Sequence, residues 1–201
     1  CFYEKLFRIQ FDFKAALPAQ ASLFKQREAE PLRAEGSPWI RFDDLKIKFP
    51  AFLRLYKQVA DLISAYFPDQ EKPAEEPPIE ALMETARGFY DSGDPVIIPG
   101  SALNMTAVAA GFSLIPYLQA ACDAILPLPD PDAWQRPRCP VCGGRPSFAC
   151  LARENGARSL LCSRCNGVWR YGRVGCPFCE GAGEQRYYLS DDRRYRMYLC
   201  D

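Results

Sequence analysis

The chain has 201 residues, 48% of them hydrophobic and 25% charged, with 25 basic and 25 acidic side chains and no histidine. That composition suits one ordinary globular core with a small appended module and excludes a disordered tail. Without histidine a Ser/His/Asp triad is impossible, any thiolate site must be all-cysteine, and no glycine-rich phosphate loop is present.

Residues before about 132 read as helices. Pro50 opens a segment in which Phe52, Leu55, Val59, Leu62, Ile63 and Tyr66 recur at helical spacing, with Arg54, Lys57 and Asp61 between them. Pro68 ends it, and "PDQEKPAEEPP" is a polar loop leading to a helix from about Ile79 to Tyr90. After "DSGDP" comes the most apolar region, Ser101 to Leu128. Asn104, Pro116, Gln119 and Asp123 interrupt it, so it predicts a buried helix and not a membrane span. "PLPDPD" closes it, and Pro127 to Pro131 mark the expected boundary between a helical domain, 1–132, and a cysteine-rich module, 133–201.

Short alternating strands follow. "PSFACLA", "ENG" and "ARSLLC" predict a hairpin in which Asn155 and Gly156 supply positive φ angles. "QRYYL", "SDD" and "RRYRMYLC" predict another. The two lie in a repeat, because Cys139 to Cys162 is 23 positions, Cys176 to Cys200 is 24, and both units begin CPxC. The expected fold is therefore α+β: a helical N-terminal domain followed by two tandem rubredoxin-like or zinc-ribbon modules.

The complete pairs are Cys139 and Cys142, Cys162 and Cys165, and Cys176 and Cys179. Two residues between cysteines let both sulfurs face one ion, and small residues such as Gly143 and Gly167 let the backbone curl close to sulfur. CxxC, 19 residues, then CxxC is a ribbon-type spacing for metal, Fe or Zn, more than for disulfide or redox use. By the repeat, Cys200 is the first member of a pair whose second member falls beyond the last residue, so the second site has three ligands and both ends of the sequence read as cut. Twelve Arg, no Lys and six acidic residues give positions 133–201 a charge of +6, which metal–thiolate sites of net −2 would largely offset.

Ten cysteines raise the possibility of a secreted disulfide scaffold, but such scaffolds are usually shorter and follow a signal peptide, which "CFYEKLFRIQFDFK" does not resemble. A cytoplasmic protein is expected. Cys122 and Cys150 lie outside CxxC spacing and read as ordinary packed cysteines, while Cys1 says nothing. "RRYRMY" mixes Arg with aromatics as nucleic-acid surfaces do, yet reads more simply as one alternating strand face. Trp169 is expected where the two ribbons meet.

"CPVCGGRP", "LLCSRCNGVWR", "RVGCPFCEG" and "YRMYLC" together resemble the C-terminal half of the formate dehydrogenase accessory protein family, the FdhE type, over about Arg138 to Cys200. "LFKQR" from Leu23 is similar to an early helix of that family. The resemblance implies a cytoplasmic, non-enzymatic maturation factor that binds the catalytic subunit of a molybdenum- or tungsten-dependent formate dehydrogenase, with cysteines associated with iron. Carried over by position, it implies Cys139, Cys142, Cys162, Cys165, Cys176, Cys179 and Cys200 as metal ligands for two ions. An iron–thiolate redox protein acting on the dehydrogenase and a zinc-ribbon nucleic-acid binder remain as alternatives.

Overall fold

A computed structural model describes residues 1–18, 37–96, 104–125, 134–173, 175–179 and 185–200. Four α-helices lie among them: α1 (Phe2–Ala16), α2 (Phe49–Tyr66), α3 (Ile79–Ser92) and α4 (Met105–Ile125). A 3-10 turn, Phe42–Leu45, precedes α2. The strands β1 (Pro146–Leu151), β2 (Arg158–Cys162) and β3 (Val168–Tyr171) form one antiparallel sheet, and β4 (Gln185–Leu189) pairs with β5 (Arg196–Cys200) in another. The architecture is the α+β arrangement expected. Both the "LFKQR" segment and the Pro127–Pro131 boundary lie outside the described residues.

The breakers act where the sequence puts them. Pro50 sits in the first turn of α2, where its missing N–H costs nothing, and the helix stops at Tyr66 ahead of Pro68. At the end of α3, Gly93 takes the left-handed conformation at φ 68°. A Cβ there would meet the Arg138 guanidinium and come within 2.8 Å of the Gly143 carbonyl oxygen, so the position needs glycine for its conformation and for its space.

Helix α4 is apolar on nearly every side and is the centre of the molecule, packed against α1, α2 and α3. It is long and apolar enough to cross a membrane, but 72% of its apolar window is buried inside the protein. Asn104 caps it, its Oδ1 accepting the Ala107 N–H at 3.0 Å. Pro116 lies inside it and lacks the N–H that would bond the Phe112 carbonyl one turn back. Gln10 of α1, 5% exposed, donates its Nε2–H to that carbonyl at 2.8 Å and replaces the lost bond.

One continuous core runs from Phe2 and Leu6 through α2, α3 and α4 into Trp134, Val141, Leu160 and Trp169. The first ribbon is thus built into the helical core. Trp169 is 2% exposed, donates Nε1–H to the Arg136 carbonyl at 3.0 Å, and belongs to this shared core. That corrects the expectation that it would fill a junction between ribbons, since among the described residues none from β4 or β5 belongs to the core. In the β1–β2 hairpin only Gly156 has positive φ (67°); Asn155 acts through its side chain, whose Oδ1 accepts the Ala157 N–H at 2.9 Å.

Candidate metal centre

Each half of the first cysteine cluster is a knuckle of the same design. Cys139 donates its N–H to the Gly144 carbonyl at 2.9 Å, and Cys162 does the same to Gly167 at 2.9 Å. Closing that loop requires a left-handed residue just after the second cysteine, which is Gly143 (φ 72°) in one knuckle and Asn166 (φ 60°) in the other. The next residue must be glycine for room. A Cβ on Gly144 would come within 2.9 Å of Cys162 Sγ, and one on Gly167 within 3.2 Å of Cys165 Sγ. Gly167 therefore has the role the sequence suggests, whereas Gly144, not Gly143, clears the sulfurs in the first knuckle. Backbone N–H groups also face thiols, Arg164 N–H toward Cys162 Sγ at 3.5 Å and Gly167 N–H toward Cys165 Sγ at 3.4 Å.

The knuckles bring Cys139, Cys142, Cys162 and Cys165 together with all four sulfurs within 4.8 Å of one another, and every one of the four is buried. Cys139 Sγ lies 3.6 Å from Cys165 Sγ, and Cys142 Sγ 3.5 Å from Cys162 Sγ. An ion bound at about 2.3 Å from each sulfur sets tetrahedron edges of about 3.8 Å, so the cage fits a four-coordinate thiolate site. The four sulfurs are grouped with no S–S bond among them, and all ten cysteines are free.

The charges in the cage are strongly divided. Hydrogen bonds from Cys139, Cys142 and Cys165 pull the Cys162 thiol far below its ordinary value. Burial pushes Cys139 well above it, and the hydrogen bond with Cys122, followed by those with the other three cysteines, pushes Cys165 up as well. Four sulfurs converging in a dry pocket are the arrangement in which a bound cation takes the place of thiol protons.

Three contacts fasten the cage to the helices. Trp39 and Ile40 donate N–H groups to the Pro140 and Val141 carbonyls at 2.8 and 3.0 Å. The Arg145 N–H reaches the Gly93 carbonyl at 2.8 Å, and Arg145 Nε pairs with Asp94 at 2.8 Å. Arg164, inside the second knuckle and 0% exposed, donates to the Tyr90 and Phe89 carbonyls at 3.0 Å each. Its guanidinium lies 4.3 Å from the Phe89 ring centre. A cation at the last carbonyls of α3 complements the helix dipole as well as filling open acceptors. The Tyr90 hydroxyl in turn donates to the Ile40 carbonyl, joining the same parts.

Cys176, Cys179 and Cys200 form a second group with sulfurs within 4.8 Å of one another. Cys179 Sγ lies 2.9 Å from Cys200 Sγ, and the Phe178 N–H faces Cys176 Sγ at 3.4 Å, the knuckle contact again. The hydrogen bond with Cys179 pushes the Cys200 thiol up to about 11. This group is half-buried to exposed, so the two clusters, each able to hold a metal ion, differ in access. Cys150 and Cys1 are exposed and stand apart from both. Spacing alone did not reveal Arg164, Gly144 or Cys122 as parts of the first site's surroundings.

No family model matches the chain. Among curated proteins it is 39% identical over 62 residues to Protein FdhE of Escherichia coli O127:H6, covering 30% of this chain and 20% of that protein. It is 38% identical over 94 residues to the Protein FdhE homolog of Pseudomonas putida, covering 40% of this chain and 29% of that protein. The matched stretches thus span less than a third of these relatives' lengths. The crystal structure of the FdhE protein from Pseudomonas aeruginosa superposes with a TM-score of 0.55 at 22% identity, covering 98% of this chain and 70% of that one. Over part of its length the chain is similar in sequence to FdhE proteins, and over nearly all of it shares the fold of the FdhE structure from Pseudomonas aeruginosa.

Proposed function

We propose that this chain is part of a cytoplasmic, non-enzymatic accessory factor that binds the catalytic subunit of a molybdenum- or tungsten-dependent formate dehydrogenase and supports its maturation. The observation that carries the reading is a buried four-sulfur cage of tetrahedral size in a chain with the FdhE fold. In this reading Cys139, Cys142, Cys162 and Cys165 ligate one Fe or Zn ion, and Cys176, Cys179 and Cys200 contribute to a second. The division of labour runs from a helical frame, 1–132, to a cysteine module, 133–201. The first ion fixes two knuckles on the ends of helices and so shapes a surface for the partner; an ion without an open coordination position does this without turnover.

Metal analysis of anaerobically purified protein, alongside pull-down with a formate dehydrogenase catalytic subunit, tests both halves of the proposal. The expected result is at least one tightly held ion and a stable complex that is lost when Cys162 and Cys165 are changed to Ser. Metal-free protein that still captures the subunit would overturn the metal's part, and a loaded protein that captures nothing would overturn the partner.

A further inference from the structure

The turn that carries Cys176 and Cys179 is held against the first ribbon by two arginines. Arg158, at the start of β2, is 8% exposed, and its Nη2 donates to the Gly175 carbonyl at 2.8 Å. Its guanidinium also lies 5.0 Å from the Tyr171 ring centre, while its Nε is buried without a hydrogen-bond partner among the described residues. Gly175 immediately precedes Cys176. Arg145, just past the first knuckle, is itself fixed from three sides: its N–H bonds the Gly93 carbonyl, its carbonyl accepts the Ser163 N–H at 3.0 Å and hydroxyl at 2.9 Å, and its Nε pairs with Asp94. Its guanidinium lies 5.9 Å from the ring centre of Phe178, which stands between Cys176 and Cys179.

We infer that Arg158 and Arg145 are positioning residues for the second metal centre, pinning the turn at Gly175 and at Phe178 so that the Cys176 and Cys179 sulfurs are placed before an ion arrives. The strands β4 and β5 chiefly contact each other and give that turn little else to rest on. A turn free to swing would have to be ordered at each binding event, and prior anchoring removes that cost from the affinity. Three thiolates around a divalent ion also leave net negative charge, which cations at the base of the turn suit. Arg145 bridges both knuckles of the first ribbon, so the second site borrows its order from the first. This rests on Cys176, Cys179 and Cys200 holding an ion, as proposed above.

The test loads the full chain with zinc, strips the more exposed cluster with a mild chelator and titrates cobalt(II) back. The thiolate-to-cobalt absorption that is lost in the Cys176→Ser, Cys179→Ser protein reads the second cluster. Arg158→Met should weaken cobalt binding there roughly tenfold, the worth of one hydrogen bond from a charged donor. Arg158→Lys should recover most of it, because an ammonium can serve a single carbonyl. Phe178→Leu should weaken binding about threefold and Phe178→Tyr hardly at all, since the ring is kept. Phe178 is 58% exposed, so its variants fold whatever becomes of Arg158→Met; should that one fail, Arg158→Gln, too short for the Gly175 carbonyl, takes its place. Unchanged affinity on losing the Arg158 donor would overturn the part of Arg158, and unchanged affinity in Phe178→Leu, or an equal loss in Phe178→Tyr, that of Arg145. Zinc lost from the first cage in parallel would overturn the positioning role altogether, leaving only a contribution to the first ribbon's fold. Absence of any cobalt absorption assignable to the second cluster in the unaltered chain would overturn the metal reading of that cluster, and this inference with it.

Discussion

The two ribbons follow one plan in sequence and meet very different surroundings. Both start with CPxC, pass through an antiparallel hairpin and return to cysteine after 23 or 24 positions. In the first, β2 and β3 send Leu160 and Trp169 into the helical core and the four sulfurs are sealed. In the second, β4 and β5 chiefly contact each other, and Tyr187, Tyr188, Leu189, Met197, Tyr198 and Leu199 are all exposed. A two-stranded hairpin is at best marginal in water on its own. The same motif is therefore a keystone where helices surround it and a hairpin left mostly to its own contacts where they do not.

The largest effect should come from removing ligands. A structural ion contributes on the order of 10 kcal/mol in small ribbons, comparable to the whole stability of a domain. Cys139→Ser with Cys165→Ser should abolish the cooperative melting of the main core, followed by near-ultraviolet circular dichroism. Cys176→Ser with Cys179→Ser should move that transition by about 2 °C or less. Equal losses from the two pairs would break the contrast. A chelator titration sharpens it: the second cluster should release its ion first.

Next is Arg164→Met, which removes one donor from each of the Phe89 and Tyr90 carbonyls, leaving them to Ser92 Oγ and the Gly93 N–H, and should cost about 1–3 kcal/mol in urea unfolding. Arg164→Lys should recover little, because an ammonium cannot span two carbonyls as a planar fork does. Gln10→Ala should cost about 1–3 kcal/mol by stranding the Phe112 carbonyl, and less in a Pro116→Ala background, where a restored backbone N–H can serve it. Additive losses in that double-mutant cycle would disprove the shared acceptor. The smallest effect is Tyr187→Ser, which removes a cross-strand ring pair at 6.0 Å and should cost about 0.2–1 kcal/mol. Hydrogen exchange should register it at residues 185–200 and nowhere in the first ribbon.

How much of this was legible depended on the range of the signal. Helices α2 and α3 were readable because Pro50, Pro68 and Gly93 mark their ends locally, and the cysteine quartet because CxxC spacing is itself local. Helix α1 was not resolved as a separate element: Phe2 and Leu6 are buried, but Tyr3, Phe7 and Phe11 are exposed, so its apolar residues run around the helix and blur the stripe. Arg164 looked like one of twelve arginines in a basic stretch, since its partners lie 74 and 75 positions away. Cys122 had no spacing to betray it. Trp169 was misplaced for the same reason: a buried tryptophan announces a core, but not which elements share it.

The proline inside the most buried helix also settles which of several packings the helices adopt. Apolar helix faces can slide or rotate past one another at little cost, because most of their contacts are interchangeable. Pro116 makes one carbonyl on α4 different from its neighbours, and one side chain on α1 matches it. Shifting α1 by a turn would carry Gln10 away from Phe112 and bury an acceptor with no donor, a larger penalty than any rearranged methyl contact. The defect in one helix is thus the address read by another.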